Sequence, residues 1–174
     1  EYWPGALLYK PSNEETTSNE ALDLDFLDDH LEAILSGVSE EIIDDLFNKG
    51  GSPGGARPKV YAGYNPATNN LIYGSNELPE PFEHWMIKFS AVTDFVDSAD
   101  CEMAYYLMAT VSGIEMSESK LLKGKSGKTY FATKRFDRSQ DERLHLISAA
   151  GMFHDDYEHS QLDYGMLIHE TDQL

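Results

Sequence analysis

The first regular pattern in the chain is helical. From Phe26 onward, Leu27, Leu31, Ile34, Leu35 and Val38 recur on one helical face, with acidic residues on the other side. Gly37 loosens that helix, and Ser39 is placed to cap a second one. Its first turn, Glu40-Glu41, suits the positive end of the dipole, and Ile42, Ile43, Leu46 and Phe47 form an apolar side before Asn48-Lys49-Gly50 closes it. Residues 11–20 carry no apolar period and read as a loop.

After a glycine-rich interval the period changes from helical to alternating. Val60 to Tyr64 and Leu71 to Tyr73 read as a strand pair around the turn Asn65 to Asn70. His84 to Phe89 is a third strand, with Trp85, Ile87 and Phe89 on one face and His84, Met86 and Lys88 on the other. Ser98 to Ser112 reads as a helix stopped by Gly113, its apolar side drawn from Cys101, Ala104, Tyr105, Met108 and Val111. Two more strands, about Lys120 to Leu122 and Thr129 to Phe136, flank the turn Gly124 to Gly127. A helix near Leu144 to Phe153 and another helical start from Leu162 complete the series. The order gives an α+β layout in which one central helix packs on a mainly antiparallel sheet.

Composition narrows the classes of partner. With Lys+Arg 13 against Asp+Glu 31, the net charge of -18 makes a nucleic-acid backbone or an anionic membrane an unfavourable general partner. The charge is uneven: residues 1–50 hold 13 acids and 2 bases, whereas residues 120–143 hold 8 of the 13 bases against 3 acids. Residues 144–174 hold 6 acids and no Lys or Arg. A single cysteine cannot form an internal disulfide, so nothing calls for an oxidising compartment, and a cytoplasmic location is expected. No stretch reaches 18 continuous apolar residues, and the first residues, Glu1 to Gly5, have neither a basic region nor an apolar run, so neither a membrane span nor a signal peptide is expected.

Three segments can carry chemistry. In Gly50 to Lys59, four glycines in six positions let backbone N–H groups approach phosphate oxygens, with Arg57 and Lys59 adding charge. The same composition suits a plain connector, and the loop is neither a dinucleotide fingerprint nor a Walker loop; a glycine loop feeding a strand pair matches the way kinases cover ATP phosphates. Lys88, a lone charge in an apolar strand, suits an edge or snorkelling lysine when taken alone. Glu102, on the helix that follows, would hold its ammonium against nucleotide phosphates as the strand-lysine to helix-glutamate pair of protein kinases does. The third segment is Tyr130 to Arg138. Elsewhere, His154 to His159 has a spacing unsuited to one helical face and reads as an acidic loop, and Cys101 reads as a small buried helix residue; no metal site is expected.

Together these blocks resemble the HipA family of bacterial serine/threonine protein kinases, the toxins of toxin-antitoxin pairs. The resemblance rests on Gly54 to Lys59, Met86 to Phe89, Asp100-Cys101-Glu102, Arg135 to Arg138 and Arg143-Leu144-His145, in the family's order across about residues 50–170. It implies a protein-kinase-like N-lobe over residues 50–138, with an acidic helical segment, 1–49, before it and the start of a helical C-lobe, 139–174, after it. ATP and Mg2+ are the implied cofactors. The implied ATP contacts are Gly54, Gly55, Ala56, Lys59, Lys88, Glu102 and the hinge Lys134, Arg135, Phe136 and Asp137. Ser52 stands at or beside the family's autophosphorylated loop serine. The implied partners are a HipB-like DNA-binding antitoxin, with DNA reached only through it, and a protein substrate such as an aminoacyl-tRNA synthetase.

Phosphoryl transfer also needs an aspartate for the acceptor hydroxyl and Asp/Asn ligands for magnesium. The family's Asp-x-His-x-Lys-Asn-like loop has no counterpart here, and no catalytic residue is identifiable. The expectation is an ATP-binding part that is inactive alone, either an excised piece, as the missing initiator Met suggests, or a natural short form. The alternative is a non-catalytic module that docks an antitoxin or a partner kinase domain.

Overall fold

A computed structural model describes residues 21–35, 57–73, 78–90, 94, 97–139, 142–156, 159 and 162–173. The glycine-rich loop up to Ala56, with Ser52, Gly54 and Gly55, and the expected helix after Ser39 lie outside the described residues. The chain divides into two compact units, Glu1–Leu144 and His145–Leu174.

In the first unit, α1 (Leu24–Leu35) precedes β1 (Lys59–Tyr64), β2 (Leu71–Tyr73) and β3 (Glu83–Lys88). Helix α2 (Ser98–Val111) then leads to β4 (Ser119–Lys123) and β5 (Thr129–Lys134). The five strands form one open sheet in the order β2-β1-β3-β5-β4, every neighbouring pair antiparallel. This is the α+β architecture the pattern of periods anticipates.

The register explains why the alternation in β3 is so clean. Val60, Ile87 and Ala132 lie opposite one another, as do Ala62, Trp85 and Lys134. Side chains directly opposite share a face, so these rows build one apolar side. Trp85 and Ile87 are fully buried there, with Tyr64, Tyr130, Leu122 and Phe89. Leu22, just before α1, and Leu24 and Leu27 from its start complete the same core cluster. Burial of each such large side chain removes apolar surface worth about 1.5–3 kcal/mol from water. Lys120 lies over the rings of both Tyr64 and Trp85, 4.5 Å from each centroid, so its ammonium covers the core's rim.

Helix α1 is fixed by its acids as well as by its leucines. Asp23 caps it, accepting from the N–H groups of Asp25 (3.1 Å) and Phe26 (3.4 Å). Asp25 accepts from both the N–H and the Oγ of Ser126, each at 2.7 Å, and from the Tyr130 hydroxyl at 3.1 Å. Lys125 pairs with Asp23 and Lys128 with Asp28, both at 2.5 Å. The β4–β5 turn is thus grasped by the start of α1. Gly127 adopts φ +91 in that turn, and a Cβ on Gly124 would stand 2.0 Å from an Asp25 carboxylate oxygen.

The other face of the sheet meets α2, which packs against β4 and β5. The register of this helix differs from the expected one. Tyr105, Met108 and Val111 are strongly exposed, Val111 to 88%, and Ala104 is exposed as well. Ala99, Cys101, Glu102, Met103, Tyr106 and Ala109 are the half-buried positions. Apolar residues occur all round this helix, so spacing alone does not select the inward side; the Lys88–Glu102 ion pair lies on the side that faces the sheet. Gly113 ends the helical run at φ +82.

In the second unit, α3 (Ala149–Phe153) is shorter than the expected Leu144 to Phe153, and α4 is Tyr164–Thr171. Ser148 and Asp163 cap them, accepting from the N–H groups of Gly151 (3.0 Å) and Met166 (2.8 Å). Neither helix contains a buried residue. No helix among the described residues is long and apolar enough to cross a membrane.

Candidate functional site

The polar face of the sheet carries Lys59 and Lys88. Lys59 and Lys88 are directly opposite in the β1–β3 ladder, and Phe131 is opposite Lys88 on β5. The three form a row on one face. Two ammonium groups so placed repel unless an anion stands between or beside them. Glu102 supplies one: it accepts a hydrogen bond from Lys88 Nζ. The Lys88 ammonium also lies 5.4 Å from the centre of the Phe131 ring, a weak cation–π contact.

Arg57 extends the basic cluster toward the glycine loop. Its Nη2 is 2.8 Å from Asp94, and its Nη1 is 4.0 Å from Glu102. Burial and the neighbouring Lys88 charge lower the Lys59 pKa, partly offset by Glu102. Among the described residues, the arrangement brings Arg57, Lys59 and Lys88 together with Asp94 and Glu102 at the end of β1 that follows Ala56 in sequence.

The residues expected to form a hinge, Lys134 to Asp137, divide into two groups. Lys134 donates its backbone N–H to the Glu118 carbonyl (2.8 Å) and its ammonium to Glu83 (2.7 Å). The Arg135 N–H goes to the His84 carbonyl at 2.9 Å. Arg135 donates Nε and Nη2 to the two oxygens of Asp137, at 2.9 and 2.6 Å, with both side chains buried. The guanidinium also lies on the Tyr61 ring, 3.8 Å from its centroid. Phe136, by contrast, is 66% exposed. Of this segment, Phe136 is the side chain most open to solvent, whereas Arg135 and Asp137 face each other within the fold.

Lys59, Lys88 and Glu102 are therefore brought together, and Lys134 to Asp137 form a separate cluster at the far end of β5. Gly54, Gly55, Ala56 and Ser52 lie outside the described residues. Sequence reading missed Asp94, Glu83, Tyr61 and His84 as partners of the singled-out cations. For His84 a signal existed: it occupies the strand that carries Lys88 and alternates with the buried Trp85 and Ile87, whereas Glu83 falls on their side. Asp94 and Tyr61 gave none, because their pairings depend on how distant segments meet. Cys101 is a free, half-buried thiol. Among the described residues no three of His, Cys, Asp and Glu are grouped as a metal site.

No curated protein and no solved structure matches the chain. A family model, the HipA-like C-terminal domain, matches residues 51–174.

Proposed function

Since the chain belongs to the family of HipA-like C-terminal domains, we propose that its sheet unit is the ATP-binding part of a HipA-like serine/threonine protein kinase. In this reading the unit corresponds to a protein-kinase N-lobe of about residues 50–138, with a C-lobe beginning after it. The Lys88–Glu102 ion pair carries the reading. A strand lysine held by a helix carboxylate is the arrangement with which kinases orient ATP phosphates.

The roles follow from placement. The glycine loop, ending at Ala56 just before Arg57, would cover the phosphates, and Lys88 would contact them while Glu102 fixes its position. Lys59, opposite Lys88, would add a second charge, and the exposed Phe136 would border the base. ATP would supply the transferred phosphoryl group and Mg2+ would neutralise its charge. Ser52 is the proposed autophosphorylation site. A dianion there would stand in the loop that leads to Arg57 and compete with the nucleotide's phosphates. A HipB-like antitoxin and a protein substrate such as an aminoacyl-tRNA synthetase remain the proposed partners, in a cytoplasmic setting.

The exposed outer side of α2, with Tyr105, Met108 and Val111, favours a second reading in which the unit is a non-catalytic docking module. Calorimetry with Mg-ATP separates the two. The nucleotide reading requires binding that Lys88→Ala weakens about 10- to 100-fold, the value of a lost charge-assisted contact. Absent binding in the wild type, or equal binding in both proteins, removes it and leaves the docking module.

A further inference from the structure

The attachment of α1 to the β4–β5 turn is polar and centred on one serine. Asp25 grips Ser126 at two points, one oxygen accepting from its hydroxyl and the other from its N–H, each at 2.7 Å. On either side of Ser126 in sequence, Lys125 pairs with Asp23 and Lys128 with Asp28. The N–H and hydroxyl of Ser126 hold the Asp25 carboxyl below its usual range, so Asp25 meets the turn as a carboxylate at neutral pH.

Ser126 is nonetheless open to solvent, and the Lys125 side chain beside it is 84% exposed. The turn is short, closed by the bond from the Gly124 N–H to the Lys128 carbonyl at 2.9 Å. Lys123 stands three positions before the serine, Lys125 one before and Lys128 two after. Protein kinases choose serines by charge patterns of this kind. The chain just before α1 is tied elsewhere, by the bond from the Leu22 N–H to the Leu71 carbonyl (2.9 Å) and by the Ala21–Ile72 bridge. Loss of the turn contacts would therefore free the helix while its leading end stays on β2.

We propose that Ser126 is a phosphorylation site and that its phosphate releases α1 from the β4–β5 turn. The reaction joins Ser126 Oγ to the γ-phosphorus of ATP held by a protein kinase, breaks the bond from that phosphorus to the ADP oxygen, and passes the hydroxyl proton to the kinase's base. The serine then no longer donates Oγ–H to Asp25, and a dianion faces the carboxylate across the former hydrogen bond. Lys125 and Lys128 flank the phosphate and are drawn to it from Asp23 and Asp28, so one modification weakens all three attachments. The Lys128 N–H, 3.3 Å from Ser126 Oγ, helps to keep the phosphate within the turn. The site uses none of Ser52, Lys59, Lys88 or Glu102 and does not depend on nucleotide binding by this chain.

Two measurements on the whole chain test the site. Given radiolabelled Mg-ATP and a serine kinase that selects basic flanks, the wild type should take up phosphate beyond any it incorporates alone, and Ser126→Ala should lose that increment. In the chain synthesised with phosphoserine at position 126, hydrogen exchange of α1 amides should quicken about 10-fold or more while β3 keeps its protection. Ser126→Ala, which removes the hydroxyl without adding charge, should change that exchange far less. No added uptake in the wild type, or uptake that Ser126→Ala retains, would overturn the modification site. Unchanged α1 exchange in the phosphoserine chain, equal release in Ser126→Ala, or loss of β3 protection together with α1 would overturn the release.

Discussion

The carboxylate of Asp25 on α1 occupies the space where a side chain on Gly124 would otherwise stand, 2.0 Å from the position of its Cβ. The two residues are about a hundred positions apart in sequence, and their contact locks the first helix onto the β4–β5 turn. Gly124→Ala must displace Asp25, breaking its bonds to Ser126 and Tyr130. The expected cost is about 1–3 kcal/mol, as for other overpacked sites. Urea unfolding should show the loss.

Asp137→Asn should be far more damaging than its chemistry suggests. The substitution leaves the buried Arg135 guanidinium without its counter-charge while Arg138 stays beside it. Breaking one side of a buried pair costs about 3–5 kcal/mol, whereas replacing both partners with apolar residues is much milder. Arg135→Met with Asp137→Leu should accordingly be more stable than Asp137→Asn in a chemical denaturation series.

Stability should fall as the pH drops from about 6.5 toward 4, through His84. Its imidazole takes a proton near 6.5 in an unfolded chain but only near about 4 in the fold. Between those values the unfolded state binds more protons, so acid favours unfolding. Melting temperature measured across this range should decline less steeply in His84→Gln than in the wild type.

A second acid step concerns α1. Hydrogen bonding from Lys125 lowers the Asp23 pKa, and the Ser126 N–H and hydroxyl lower that of Asp25. Their contribution is present above the ordinary carboxylate pKa of about 3.9 and is lost as the pH falls through the lowered folded values. Hydrogen exchange should therefore show α1 amides losing protection below about pH 4. The Lys125–Asp23 pair is surface-exposed, so 1 M salt should also weaken this attachment at neutral pH while β3 keeps its protection.

The sheet was the most legible part of the chain. Trp85, Ile87 and Phe89 alternate with polar residues, and a period of two has one structural meaning, so both the strand and its buried face follow directly. Helix α2 was legible as an element but not in orientation. Tyr105, Met108 and Val111 suggested a core face, yet the half-buried side holds Glu102 and Tyr106. The acids of α1 were read as an outward face, whereas Asp23, Asp25 and Asp28 meet the turn that holds Lys125, Ser126 and Lys128. The excess of acid before residue 50 and of base after residue 120 hinted at such complementarity, but charge carries no address. In the site, the Lys88–Glu102 pairing followed from the strand and helix order, while the Arg135–Asp137 pairing did not, because strand alternation says nothing about the irregular residues after β5 ends.

An open sheet offers its unpaired backbone at two margins, and any extended chain can in principle add there. Here both margins resist addition. On one side β2 is only three residues long, and Ala21 and Leu22 already pair with Ile72 and Leu71. On the other, β4 carries Lys120 and Lys123, with Lys125 at the following turn. Short edges and lysines are the features that keep β proteins from growing by strand addition. Recruitment of other chains by this unit is thereby steered away from backbone pairing and toward side-chain surfaces such as the outer side of α2.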